Sequence, residues 1–107
     1  MKTHRLNRGK VADGFWTRLV GLMGRRRWPA GFEFVRFPRC RYLHTCFTFL
    51  RPDIVFFKDD GTVVSMVRGA GPWKFWGDFS ARHCLEAKPG FLQKHRLRAG
   101  DRLRFMK

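Results

Sequence analysis

Cys40, Tyr42, His44 and Cys46 fall at alternate positions, so a straight strand would line all four on one face. His83 and Cys84 add a second thiol and imidazole further along the chain. Two chemistries use these residue types. One is zinc ligation, with ligand atoms about 2.0–2.3 Å from the ion. Cys40 and His44 would stand roughly 13 Å apart along a strand, so only His44 with Cys46 and a partner from another strand could chelate. No Cys-x-x-Cys pair exists. The other is nucleophilic catalysis, with Cys46 or Cys84 as the thiolate, a histidine as base and Asp53 as its orienter. The sequence carries neither a nucleophile-elbow motif nor a glycine-rich phosphate loop. Ordinary packing of buried or half-buried Cys and His is the simpler assignment, and no metal or cofactor is expected. Three cysteines make no disulfide framework, and Cys40 and Cys46 would lie roughly 20 Å apart on one strand. A reducing compartment, the cytoplasm, is the expected location.

A second set of residues suits polyanions. The 107 residues include 23 Lys and Arg against eight Asp and Glu, a formal net charge of +15. Such a charge favours nucleic acid, acidic lipid or phosphorylated ligands. Arg25, Arg26, Arg27, Arg36, Arg39 and Arg41 gather around an expected helix end and strand, and Lys74 lies among Trp73, Phe75 and Trp76. Cations beside exposed rings are what single-stranded nucleic acid binding uses, through phosphate contacts and base stacking. No recognised RNA-binding signature is present. The competing assignment is a solvated charged face, with the Trp residues covering one end of the core.

These residues need elements to hold them. Met1 to Lys10 is polar and basic and reads as a flexible start, with a short strand near Val11 and no apolar stretch of a signal peptide. Asp13 can cap a helix whose apolar stripe is Phe15, Trp16, Leu19, Val20, Leu22 and Met23, ended by Gly24. Phe32 to Phe37 alternates as a strand stopped by Pro38, and Arg41 to Phe49 is the next strand. Asp60-Gly61 lies between two apolar β-forming runs and predicts a hairpin. A two-residue loop there sets Phe57 against Val64 and Val55 against Met66, an apolar face directed at the amphipathic helix. Gly69 to Gly77 reads as a loop, Arg82 to Ala87 as a strand and Phe91 to His95 as a helical turn. Arg102 to Phe105 is the closing strand, with Leu103 and Phe105 inward. The expected class is α+β, mainly β. It is one domain over residues 1–107, a compact, mostly antiparallel curled sheet or partial barrel with one N-terminal helix and a short C-terminal helical turn. No apolar run reaches the ~20 residues of a membrane span.

Three segments resemble a known family. They are Arg18-Leu19-Val20-Gly21-Leu22-Met23-Gly24-Arg25; His44-Thr45 followed by Pro52-Asp53-Ile54-Val55-Phe56-Phe57 and Asp60-Gly61; and Leu85-Glu86, Pro89-Gly90 and Leu97-Arg98-Ala99-Gly100-Asp101. Their order and spacing, from Arg18 to Phe105, are similar to the domain-of-unknown-function family 192, in the branch with a His-Thr pair before an Asp-led strand. Where much of that family has a Trp-Met-Lys-Asn-Thr stretch, this chain has His44-Thr45-Cys46-Phe47-Thr48, and Pro52 directly precedes Asp53. The resemblance implies a mainly β domain and no particular reaction.

Asp53 and Glu86 are the acidic positions inside those segments. Asp53 serves either as a turn or strand-end cap, or paired with Arg18 or another Arg. The functional alternative is a polar pocket formed by Arg18, His44, Thr45, Asp53 and Glu86. The sequence does not establish a function; the leading expectation is a non-enzymatic binding or accessory module, with a polyanion such as nucleic acid as its candidate partner. The alternative is a small enzyme or ligand-binding protein using the pocket near His44, Asp53 and Glu86.

Overall fold

The computed structural model describes residues 1–7, 9–11, 27–28, 31–45 and 50–106. Strands follow the β-branched and aromatic runs, and Pro, Gly and Asp interrupt them. In chain order they are β1 (Thr3–Leu6), β2 (Gly9–Val11), β3 (Phe34–Phe37), β4 (Tyr42–His44), β5 (Asp53–Phe57), β6 (Val63–Val67), β7 (Phe75–Gly77), β8 (His83–Ala87) and β9 (Arg102–Phe105). A short helix, α1 (Phe91–His95), lies before β9. It is not long or apolar enough to cross a membrane, and no other helix of the described residues is.

Five strands make a central sheet in the order β2-β3-β8-β5-β6, flanked by two ribbons, β1-β9 and β4-β7. Pairing is antiparallel except for β1 with β9 and β2 with β3. The fold is mainly β, as expected, and of the expected curled sheet or partial barrel the sheets form no closed barrel. The helix expected over Phe15 to Met23 lies outside the described residues, as does 46–49 of the expected Arg41–Phe49 strand.

Side-chain alternation divides the core in two. On the first face of the central sheet, Phe34, Val55, Phe57, Val63 and Leu85 meet Phe91 and Leu92 of α1, with Leu6 and Leu103 of β1 and β9. On the second face, Val35, Phe37, Ile54, Phe56 and Cys84 meet Leu43 and Trp76 of ribbon β4-β7.

The expected hairpin joins β5 to β6, but through a three-residue loop, Asp59-Asp60-Gly61. Lys58 N–H donates to the Thr62 carbonyl (3.0 Å) and Gly61 N–H to the Lys58 carbonyl (2.9 Å), with Gly61 at φ +89°. This is the pattern of a turn closed by a left-handed glycine at a bulge. Val55 faces Met66 as the spacing predicts, but the bulge between Phe56 and Phe57 sets Phe57 against Val63 instead of Val64. Val63 therefore joins the first-face core and Val64 turns to the second. Glycine is required at 61 twice over. A Cβ there would also lie 2.2 Å from the Leu103 carbonyl oxygen.

The short strand expected near Val11 is β2, and the start of the chain, expected to be flexible, also contributes β1. β1 pairs residue for residue with β9, and Leu6 is buried. Asp101 fastens this edge by accepting from Lys2 N–H (3.1 Å) and bonding His4 Nε2 (2.9 Å). With only Leu6 apolar in Thr3–Leu6, β1 has no alternation to read.

Candidate functional site

In ribbon β4-β7, Tyr42 lies opposite Gly77, Leu43 opposite Trp76 and His44 opposite Phe75. Leu43 and Trp76 pack inward, so alternation turns Tyr42, His44 and Phe75 the other way. Tyr42 is 63% exposed and Phe75 77%, and beside β7 Trp73 is 55% and Phe79 79% exposed. These four are the exposed aromatic rings among the described residues. His44 meets Phe75 edge to face, with 6.2 Å between centroids. Gly77 leaves room for the tyrosine, since a Cβ there would sit 3.0 Å from Tyr42 Cβ.

Thr45 shapes the loop that presents Trp73 and Lys74. Its buried hydroxyl donates to the Gly71 carbonyl (2.5 Å) and accepts from Lys74 N–H (3.1 Å) and Trp76 Nε1–H (3.3 Å). Its backbone N–H donates to the Lys74 carbonyl (2.8 Å), and its carbonyl accepts from Trp73 N–H (3.0 Å).

Cations flank the ribbon in sequence, with Arg39 and Arg41 before β4 and Lys74 before β7. Arg39, Arg41, Arg51 and Lys74 are all exposed. Arg51 Nη1 and Lys74 Nζ converge on Gly71, where a Cβ would meet them at 3.8 and 4.0 Å. The ion pairs of the described residues are His4–Asp101, His83–Asp59, Lys94–Glu33, His95–Glu33 and Arg102–Asp60, so none neutralises these four. Arg39, Arg51 and Trp73 hold left-handed backbone, at φ +55°, +49° and +62°. Such conformations cost about 1–3 kcal/mol each and concentrate where a side chain's placement serves function.

The rest of the basic set does not join this patch as a whole. Arg27 is exposed, while Arg25 and Arg26 lie outside the described residues. Arg36 shares the parity of Phe34, on the first face, and its guanidinium lies 4.2 Å from the Phe105 ring centroid.

The expected pocket residues are divided by the sheet. Asp53 and Glu86 are both buried, but Glu86 is registered against Ile54, not Asp53. Asp53 shares parity with first-face Val55, and Glu86 with second-face Cys84. Asp53 Oδ1 accepts from Gly69 N–H (2.8 Å) and Oδ2 from Leu92 N–H (2.9 Å). It thereby ties the turn after β6 to the first turn of α1. Among the described residues no hydrogen-bond donor holds the charge of Glu86. Burial pushes its carboxyl up to about 7, and Cys40 acts in the same direction. His44 and Thr45 belong to ribbon β4-β7, and Arg18 lies outside the described residues.

Phe79 and Arg51 escape the sequence reading, and Tyr42 enters it only as a strand-mate of Cys40. Their exposure depends on the β4-β7 pairing, which leaves no local pattern.

Residues 2–105 match the model of a family designated DUF192 and described as "Uncharacterized ACR". Among curated proteins nothing matches. A protein of unknown function from Novosphingobium aromaticivorans DSM 12444 is similar in fold, with a TM-score of 0.74 at 20% identity over 89% of this chain and 72% of that one. A "putative transcription regulator" from Sinorhizobium meliloti 1021 gives 0.73 at 24% identity over 88% of this chain and 78% of that one.

Proposed function

The chain belongs to the domain-of-unknown-function family 192, matched over residues 2–105, and we propose that this member is a non-enzymatic binding module for polyanions, single-stranded nucleic acid foremost. One observation carries the reading: the four exposed aromatic rings of the described residues sit on or beside the β4-β7 ribbon, which is flanked in sequence by arginines and a lysine that no carboxylate among the described residues neutralises. In this reading bases stack on the exposed Tyr42 and Phe75 rings, and Arg39, Arg41, Arg51 and Lys74 meet phosphates. The formal charge of +15 adds a long-range attraction for the same ligand. The description of the Sinorhizobium relative as a transcription regulator is in keeping with this class of partner.

Fluorescence anisotropy with a labelled single-stranded oligonucleotide tests the reading. Binding should weaken steeply with salt, because each phosphate contact releases counterions. Replacing Tyr42 and Phe75 together by Ala should weaken it by about tenfold or more, since each stacked base contributes roughly 1–3 kcal/mol. Affinity no tighter than about millimolar at 50 mM salt overturns the proposal. So does an unchanged affinity in the double variant, which would leave only diffuse charge.

A further inference from the structure

A cleft of about 360 Å³ opens between Arg36 of β3, His83 of β8, the Asp59-Asp60-Gly61 loop and Arg104 and Phe105 of β9. It lies on the first face of the central sheet, opposite the ribbon. Rings build its wall: Phe57 packs on Phe105 at 5.4 Å between centroids, and His83 stacks on Phe57 at 5.3 Å. Arg36 lies over Phe105, and its buried Nε–H has no acceptor. Both nearby carboxylates are engaged. Asp59 bonds His83 Nε2 (2.6 Å), while Asp60 accepts from Thr62 N–H (2.9 Å) and faces Arg102 (3.8 Å). His83 Nδ1 accepts from Arg39 N–H (2.8 Å), so the proton shared with Asp59 sits on Nε2. Arg36 thus brings to the cleft a guanidinium whose face rests on a ring and whose buried Nε–H has no acceptor among the described residues.

We propose that this cleft binds a small organic anion, a carboxylate or phosphate ester on an apolar body, received edge-on by Arg36. A guanidinium edge offers two parallel N–H groups that match two oxygens of such a group. Arg104 adds a second cation at the mouth, and Phe57, Leu103 and Phe105 give the body an apolar wall. The volume lies in the range of small-molecule sites.

Calorimetric titration of the full chain with phenyl phosphate and with benzoate tests the proposal and distinguishes the two oxyanions. At least one should bind saturably, one per chain. Arg36→Lys keeps the charge but loses the paired N–H edge, and should weaken binding by about tenfold or more. Arg104→Ala, at the exposed mouth, should weaken it by a few-fold, so the proposal stays testable if Arg36→Lys unfolds. Arg41→Ala on the ribbon should change it by less than about twofold. Absence of saturation by either probe up to about 10 mM overturns the site. Equal weakening by Arg36→Lys and Arg41→Ala overturns it too, as attraction to net charge alone. Neither outcome bears on oligonucleotide binding, which the ribbon variants read separately.

Discussion

Asp53 and Glu86 stand on adjacent strands of one sheet, 1% and 6% exposed, one carboxyl on each face. Asp53 is met by two backbone N–H groups from separate elements. At Glu86 burial raises the carboxyl to about 7, and Cys40 pushes the same way. At Asp101 bonds from His4, Lys2 N–H and Arg98 N–H hold the carboxyl down at about 2. A carboxylate leaves water cheaply only when N–H groups replace its hydration, and Asp53 has two of them, while at Glu86 the loss of water dominates.

The contrast is open to direct attack, first at Asp53. Asp53→Ala leaves Gly69 N–H and Leu92 N–H without acceptors inside the protein and should cost about 3 kcal/mol in urea unfolding. Asp53→Asn, which keeps an acceptor of similar shape, should cost less. A loss under about 1 kcal/mol for the alanine variant would mean that Asp53 is no tie between β6 and α1.

Glu86→Gln comes next and should act in the opposite sense. The unfolded carboxyl titrates near 4.5 and the folded one near 7. Between those values the unfolded chain gives up its proton first, so native stability falls as pH rises and stays lowered above 7. The glutamine variant has no such titration. It should be nearly level across that window and more stable than the parent at pH 8 by about 2–3 kcal/mol. Parallel stability curves for the two proteins would remove the contrast.

The smallest effect belongs to Asp101. Its lowered value gives stability that is present above the ordinary carboxylate range near 4 and is lost as pH falls toward 2. His4→Ala should make that acid loss shallower, and the Asp101 carboxyl resonance in an NMR titration should move up in pH.

Where one stretch of chain fixes an element, its residues announce it. The β5-β6 hairpin, β8, α1 and the inward Leu103 and Phe105 all stand where alternation and turn residues place them. Val63 and Val64 exchanged faces because the turn after Lys58 takes one more residue than Asp-Gly alone suggests. β1 and β7 were missed because each is a few residues long and held by a distant partner. The site divides the same way. Trp73, Lys74 and Phe75 stand out as rings beside a cation, whereas Tyr42, Phe79 and Arg51 acquire meaning only through pairing across about 30 residues. The opposition of Asp53 and Glu86 depends on the β5-β8 register, which neither strand encodes alone.

The β1-β9 ribbon bears on synthesis of the protein. It joins residues 99 positions apart. During synthesis Thr3–Leu6 precedes Arg102–Phe105 by most of the domain and must wait for it, while Leu6 has no neighbouring strand to shelter it. The hairpin from β5 to β6 can form long before that. Closing so large a loop delays the last step of assembly, and the nascent chain keeps an unpaired edge and one open apolar face until its final strand appears.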